Sequence, residues 1–163
     1  MANLKKNFSD ALEFVNNKVC IVRCDLNLPI VDNKVTDFTR LDEIIPTLEK
    51  LISRNGKIIL ISHLGRPKGK VDENLSLEIM IPHIEERLKR SITFCPEQIL
   101  SSETAEKIKK LPPKGVILLE NIRFYKQEEE NDIKFSSKIS EYGDIYINES
   151  FSTCHRSHAS ITG

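Results

Sequence analysis

Arg23, Arg40, Arg66, Arg123 and Arg156 each lie at or just past the end of an apolar run, on the side where a helical pattern begins. His63, His155 and His158 fall in the same segments. The remaining arginines, Arg54, Arg87 and Arg90, belong to last turns of helical patterns, where the helix dipole favours a cation. A parallel sheet would bring the first group to one edge. At about 6 Å and an effective dielectric near 20, each like-charged pair there costs up to roughly 3 kcal/mol before salt screening. A multiply charged anion offsets that cost, and the planar guanidinium fork suits phosphate and carboxylate better than an ammonium does. The chemistry expected of this rim is anion binding, weighed against scattered surface ion pairs.

The apolar runs must position these groups. Lys57 to Ile61 is too short for a membrane span and rich in β-branched residues, so it reads as a buried parallel strand. It opens into Ser62, His63, Leu64, Gly65, Arg66 and Pro67, with a permissive glycine between two basic residues. The carboxyl end of such a strand is where open α/β sheets place ligands. Val19 to Val22 begins a second strand, expected to continue toward Pro29. Along it Val19, Ile21, Arg23, Asp25 and Asn27 share one face, which starts apolar and turns polar. This suits a site at a sheet rim, and equally an Arg23–Asp25 pair with Asn27 shaping a turn. Ile92–Cys95, Gly115–Leu119 and Asp144–Asn148 read as further strands. Gly115–Leu119 ends in Glu120, Asn121, Ile122 and Arg123.

Helical periodicity separates the strands. Leu41, Ile44, Ile45, Leu48, Leu51 and Ile52 follow the i, i+3, i+4 pattern, with Asp37 able to cap the start and Pro46 expected to kink the middle. Arg40 then sits in the first turn, where a cation is locally unfavourable, a broken rule that points to function. Ser76 is expected to cap a helix that contains Pro82, Ser101–Lys110 forms another, and a last one runs from about Ile133 to Tyr142. The glutamates of Gln127–Asp132 read as a solvated loop. Strand and helix alternate throughout, which predicts an α/β fold: a three-layer, Rossmann-like parallel sheet with helices on both faces.

Composition bounds the partners. The 163 residues carry 24 basic and 24 acidic side chains and are 39% hydrophobic, so bulk charge indicates neither nucleic acid nor a membrane surface as partner. With no apolar window near 18 residues and no signal-peptide pattern at the start, a cytoplasmic location is expected. Cys20, Cys24, Cys95 and Cys154 lack metal or disulfide spacing and read as buried reduced thiols. A zinc site needs about four ligands, and no second cluster joins Cys154, His155 and His158, so no metal site is expected.

Five ordered motifs carry a resemblance. Val22–Pro29, Arg40–Leu41, Ser62–Pro67, Leu118–Phe124 and Thr153–His158 resemble, in order and spacing, the phosphoglycerate kinase family. The resemblance implies a two-domain kinase of glycolysis. Its N-terminal domain binds 3-phosphoglycerate or 1,3-bisphosphoglycerate, its C-terminal domain binds Mg-ATP or Mg-ADP, and closure joins them. Residues 1–163 resemble the first domain, incomplete at its C-terminal end, with the nucleotide-binding domain absent. The resemblance assigns Asp25, Asn27, Arg40, His63, Leu64, Gly65, Arg66, Arg123 and Arg156 to the phosphoglycerate, with Arg40 at the reacting carboxylate. Arg23, His155 and His158 complete the basic patch. A complementing C-terminal domain or chain is the implied partner, without which the chain is expected to be inactive.

The family usually reads Asn-Asp-Ala-Phe-Gly-Thr-Ala-His-Arg where this chain has Asn148, Glu149, Ser150, Phe151, Ser152, Thr153, Cys154, His155 and Arg156. Ser152 for glycine restricts the loop, and Glu149 is a methylene longer than aspartate. The alternative readings are a non-catalytic remnant or anion-binding module, and an unrelated metabolite-binding domain with a convergent rim.

Overall fold

The computed structural model describes residues 8–150 and 157–162. In chain order the elements are α1 (Phe8–Leu12), β1 (Val19–Arg23), β2 (Ile30–Val31), β3 (Lys34–Val35), α2 (Thr39–Ser53), β4 (Lys57–Ile61), α3 (Ile81–Leu88), β5 (Thr93–Cys95), α4 (Ser102–Lys109), β6 (Val116–Leu119), α5 (Lys126–Glu129), α6 (Ile133–Ser140), β7 (Ile145–Asn148) and α7 (Ala159–Thr162). Five strands form a parallel sheet in the order β5-β6-β4-β1-β7. The hairpin β2–β3 stands apart, turning through Asp32 and Asn33 at φ of 50° and 58°. Two left-handed residues in succession are what a tight two-residue hairpin requires, and Asn and Asp tolerate them best after glycine.

Strand alternation divides the core in two. Cys20, Val22, Ile58, Leu60, Val116 and Leu118 pack with Leu41, Leu48 and Leu51 of α2 and Ile84 of α3. Ile21, Ile59, Ile61, Ile117 and Leu119 face the other way, onto Ile108 of α4, Phe135 and Ile139 of α6 and Ala159 of α7. Helices thus cover both faces, as buried parallel strands demand. The links out of β1 and β4 run over the first face, and those out of β5 and β6 over the second. Adjacent strands β4 and β6 therefore send their exits to opposite faces. Between such a pair the loops diverge and leave a crevice beyond the strand ends.

Several local expectations change. β1 ends at Arg23, and the segment to Pro29 leaves the sheet. α2 is continuous across Pro46. Asp37 does serve its start, accepting from the Thr39 amide at 2.8 Å and the Thr39 hydroxyl at 2.7 Å. Ser76 starts only a 3-10 turn, Leu77–Met80, its Oγ accepting from the Glu78 amide at 3.2 Å. The α-helix begins after that turn, so Pro82 falls in its first turn, where a missing N–H costs nothing. The glutamate run is not a solvated loop: Lys126–Glu129 is a helical turn and Glu128 is wholly buried.

Cys20, Cys24 and Cys95 are buried and unpaired in any disulfide. Desolvation pushes the Cys20 thiol up to about 11 and that of Cys24 to about 12, so neither is a thiolate at neutral pH. Cys154 lies outside the described residues. At the β5 exit the Lys107 ammonium donates to Glu97, and this bond leads in lowering the Glu97 carboxyl from 4.5 to about 2. A carboxylate lowered on folding contributes stability that is present above its unfolded value and lost as pH falls through its folded one. Glu97→Gln is therefore expected to be less stable than the parent chain above about pH 4.5 and to converge with it toward pH 2. Urea unfolding across that range measures the difference.

Candidate anion-binding site

The loops after β1, β4 and β6 are tied edge to edge by hydrogen bonds. Arg40 in the first turn of α2 donates through Nη1 to the Asn27 carbonyl at 2.9 Å and lies 3.3 Å from Asp25 Oδ2. Asp25 in turn accepts from the Asn27 amide at 3.1 Å. The Asn27 side-chain oxygen accepts from the Gly65 amide at 2.8 Å, and the Gly65 carbonyl accepts from Arg123 Nη1 at 2.9 Å. Arg40, Asn27, Gly65 and Arg123 thus form one continuous row across the strand exits. Gly65 occupies the left-handed region at φ +61°, and a Cβ there would stand 2.7 Å from Leu75 Cδ2, so a side chain at the centre of the row is strained and glycine suits it.

Beneath the row lies a frame of buried polar groups. Ser62 Oγ donates to the Cys24 carbonyl and accepts from the Leu26 amide, both at 2.9 Å, joining the β1 and β4 exits. Asn121, with no exposure, donates to the Leu64 carbonyl at 2.8 Å and to the Leu75 carbonyl at 2.9 Å while its oxygen accepts from the Arg123 amide at 3.1 Å. Glu120 accepts from Ser76 Oγ at 2.7 Å and the Leu77 amide at 2.9 Å, anchoring the segment that follows the β4 loop.

Arg40 keeps 47% of its side chain exposed while Asp25 keeps 8%. The cation unfavourable at the α2 start is thus steadied by a carboxylate and a carbonyl, and one side of its guanidinium still reaches the cleft of about 720 Å³ bordered by Asn27, Pro29, Thr39 and Arg40. Arg66 is exposed, and among the described residues no hydrogen bond or ion pair holds it. Arg123 is buried, with a guanidinium nitrogen on the Gly65 carbonyl. The Leu64 side chain packs in the first core and its carbonyl is taken by Asn121, so a polar contact to a ligand would have to come from its amide. Arg156 and His155 lie outside the described residues.

Arg23 departs from the expected exposed basic patch, for it is wholly buried. Its Nε donates to Ser160 Oγ at 3.0 Å, Nη1 to the Cys24 carbonyl, and Nη2 meets His63 Nδ1 at 3.0 Å. A guanidinium can only donate, so His63 accepts at Nδ1 and stands beside Arg23 as a neutral ring rather than a second cation. His158 also turns inward, its Nδ1 3.8 Å from Glu128 Oε1. The repulsion expected of the rim is reduced accordingly: Arg23 balances Glu128, and Arg40 balances Asp25. Glu149, the lengthened residue, reaches α2, where its Oε1 accepts from Thr47 Oγ1 at 2.9 Å.

Sequence reading placed Glu120 and Asn121 at the polar end of a strand but gave them no role, and it missed Glu128 and Ser160. Asn121 and Glu120 had a signal, a polar pair directly after an apolar strand. Glu128 had none, being one of three identical neighbours.

This is a doubly wound α/β domain whose strand exits carry a preorganised cationic rim. The phosphoglycerate kinase family model matches residues 10–163, and the chain belongs to that family. It is 44% identical over 158 residues to a phosphoglycerate kinase of Orientia tsutsugamushi (strain Ikeda), covering 97% of this chain and 38% of that protein. It is 42% identical over 154 residues to one of Agrobacterium fabrum, covering 94% of this chain and 38% of that protein. The crystal structure of phosphoglycerate kinase from Pyrococcus horikoshii superposes with a TM-score of 0.82 at 30% identity, over 91% of this chain and 38% of the other. The chain therefore spans about 38% of the length of these relatives.

Replacing Asn121 with alanine leaves the buried Leu64 and Leu75 carbonyls without their donor. Such a loss costs about 1–3 kcal/mol per group, so Asn121→Ala is expected to unfold at clearly lower urea than the parent chain. Hydrogen exchange of the Gly65 and Arg123 amides is expected to rise with it.

Proposed function

We propose that this chain is the acid-binding half of a phosphoglycerate kinase, holding 3-phosphoglycerate or 1,3-bisphosphoglycerate on the rim of Arg40, Arg66 and Arg123. The observation that carries the reading is the bonded row Arg40–Asn27–Gly65–Arg123, which ties an arginine from the start of α2 to one from the β6 exit, with Arg66 next to Gly65 in the chain. Family membership supplies the chemistry. Phosphoryl transfer asks a protein mainly for positioning and for charge at the moving group. In this reading Arg40 steadies the reacting carboxylate, Arg66, Arg123 and Arg156 hold the far phosphate, and Asp25 and Asn27 meet the hydroxyl.

The nucleotide, Mg-ATP or Mg-ADP, is bound by a second domain of the family type, in a cytoplasmic glycolytic step. Residues 1–163 then bind the acid but do not turn it over unaided. The alternative, an anion-binding module without transfer chemistry, shares the rim and differs in having no partner domain.

Calorimetric titration with 3-phosphoglycerate at low and moderate salt tests the reading. Saturable binding that weakens with salt is expected, with Arg66→Ala weaker by about 10- to 100-fold, the loss of one charge-assisted contact. Absence of binding by the folded chain, or equal binding of free phosphate, overturns it. In the same preparation 1,3-bisphosphoglycerate and ADP are expected to yield no ATP, and measurable ATP would contradict the proposed division of labour.

A further inference from the structure

Among the described residues, the one arginine and the one glutamate with no exposure, Arg23 and Glu128, face each other across a serine. Ser160 Oγ lies 2.6 Å from Glu128 Oε1, and the Ser160 amide donates to Glu128 Oε2 at 2.9 Å. A carboxylate so placed receives the serine proton, which turns the hydroxyl lone pairs toward Arg23 Nε at 3.0 Å. Arg23 Nη2 then donates to His63 Nδ1. Every bond in this relay has a fixed direction, because a carboxylate only accepts and a guanidinium only donates. Tyr146 adds a further tie, its hydroxyl donating to the Ser160 carbonyl. Desolvation raises the pKa of that hydroxyl, so it remains a donor. His158 Nδ1 stands 3.8 Å from the same Glu128 Oε1.

We propose that Glu128 and Ser160 are positioning residues: through Arg23 they hold His63 as a neutral ring protonated at Nε2, and thereby set the donor that His63 contributes to the anion-binding loop. The four residues come from α5, α7, β1 and the β4 loop, so the relay fixes that loop from the interior while the Asn27 contact fixes it from the rim. Neither Glu128 nor Ser160 touches the rim themselves. Their effect on a ligand passes only through the ring. The second part of this inference rests on the proposed rim function, and the first does not.

Nitrogen-15 NMR of histidine-labelled full chain, with His63 assigned by His63→Gln, reads the tautomer directly. The parent chain is expected to show a protonated Nε2 and a bare, hydrogen-bonded Nδ1, unchanged from pH 6 to 8. A ring protonated at Nδ1, or one titrating like a free imidazole across that range, overturns the inference without any variant. Ser160→Ala and Glu128→Gln, each checked for folding by circular dichroism, are expected to admit the Nδ1-protonated or doubly protonated ring and to weaken 3-phosphoglycerate by about fivefold, the equivalent of one neutral hydrogen bond. A His63 signature identical to the parent in either folded variant overturns the relay. If the parent shows the expected tautomer yet binds no 3-phosphoglycerate, the rim's assigned ligand fails and the relay stands.

Discussion

A guanidinium with no exposure at the end of a central strand is the constraint around which this site is built. Removing such a charge from water costs several kcal/mol even after relaxation, and the cost is recovered only when an opposite charge and hydrogen-bond partners are held in place. Arg23 obtains them from four separate parts of the chain: the next residue's carbonyl, the loop after β4, the helical turn bearing Glu128 and the short helix bearing Ser160. None of those parts can move far without exposing an unmet charge. Geometry demanded by one buried cation thus becomes the geometry of the whole strand-exit region.

Above that interior the rim follows a different rule. Arg40 and Arg123 are each oriented by a backbone carbonyl, Arg123 donating to that of Gly65, and Arg40 by the Asp25 carboxylate as well. A carbonyl fixes a guanidinium and leaves its charge for a ligand. The division between an interior in which charges cancel and a rim in which they are only aimed lets one loop be both rigid and electropositive.

Much of this was legible in the residue order. The alternation along β1 put Ile21 on one core and Cys20 and Val22 on the other, as a period of two requires. The strand exits of β4 and β6 were recognisable because each apolar run stops abruptly in polar groups. What could not be read was depth. Arg23 and Arg66 carry the same local signal, an arginine at a strand exit, yet one is sealed inside and the other stands in solvent. Burial of Arg23 depends on Glu128 and Ser160, more than a hundred residues away, and no local pattern marks them. The glutamate run misled for the same reason: charge density describes the typical member of a run, and the exceptional member, Glu128, is the buried one. Pro82 misled in register only, since a proline that would break a helix interior is well placed in a first turn.

The position of β7 has a consequence for how the chain assembles. β1 finds its first neighbour, β4, 38 positions on, where Val19 pairs with Lys57, but its other flank stays open until β7 arrives, with the Val19 amide bonding Asp144 across 125 positions. Arg23 waits longer still, for a serine 137 positions on. During synthesis this interior strand is therefore the first strand made and among the last completed. Closure of so long a loop comes before its contacts reward it, which places this sheet among the slow, non-local folders and leaves the β1 edge exposed to foreign strands until the end of the segment emerges.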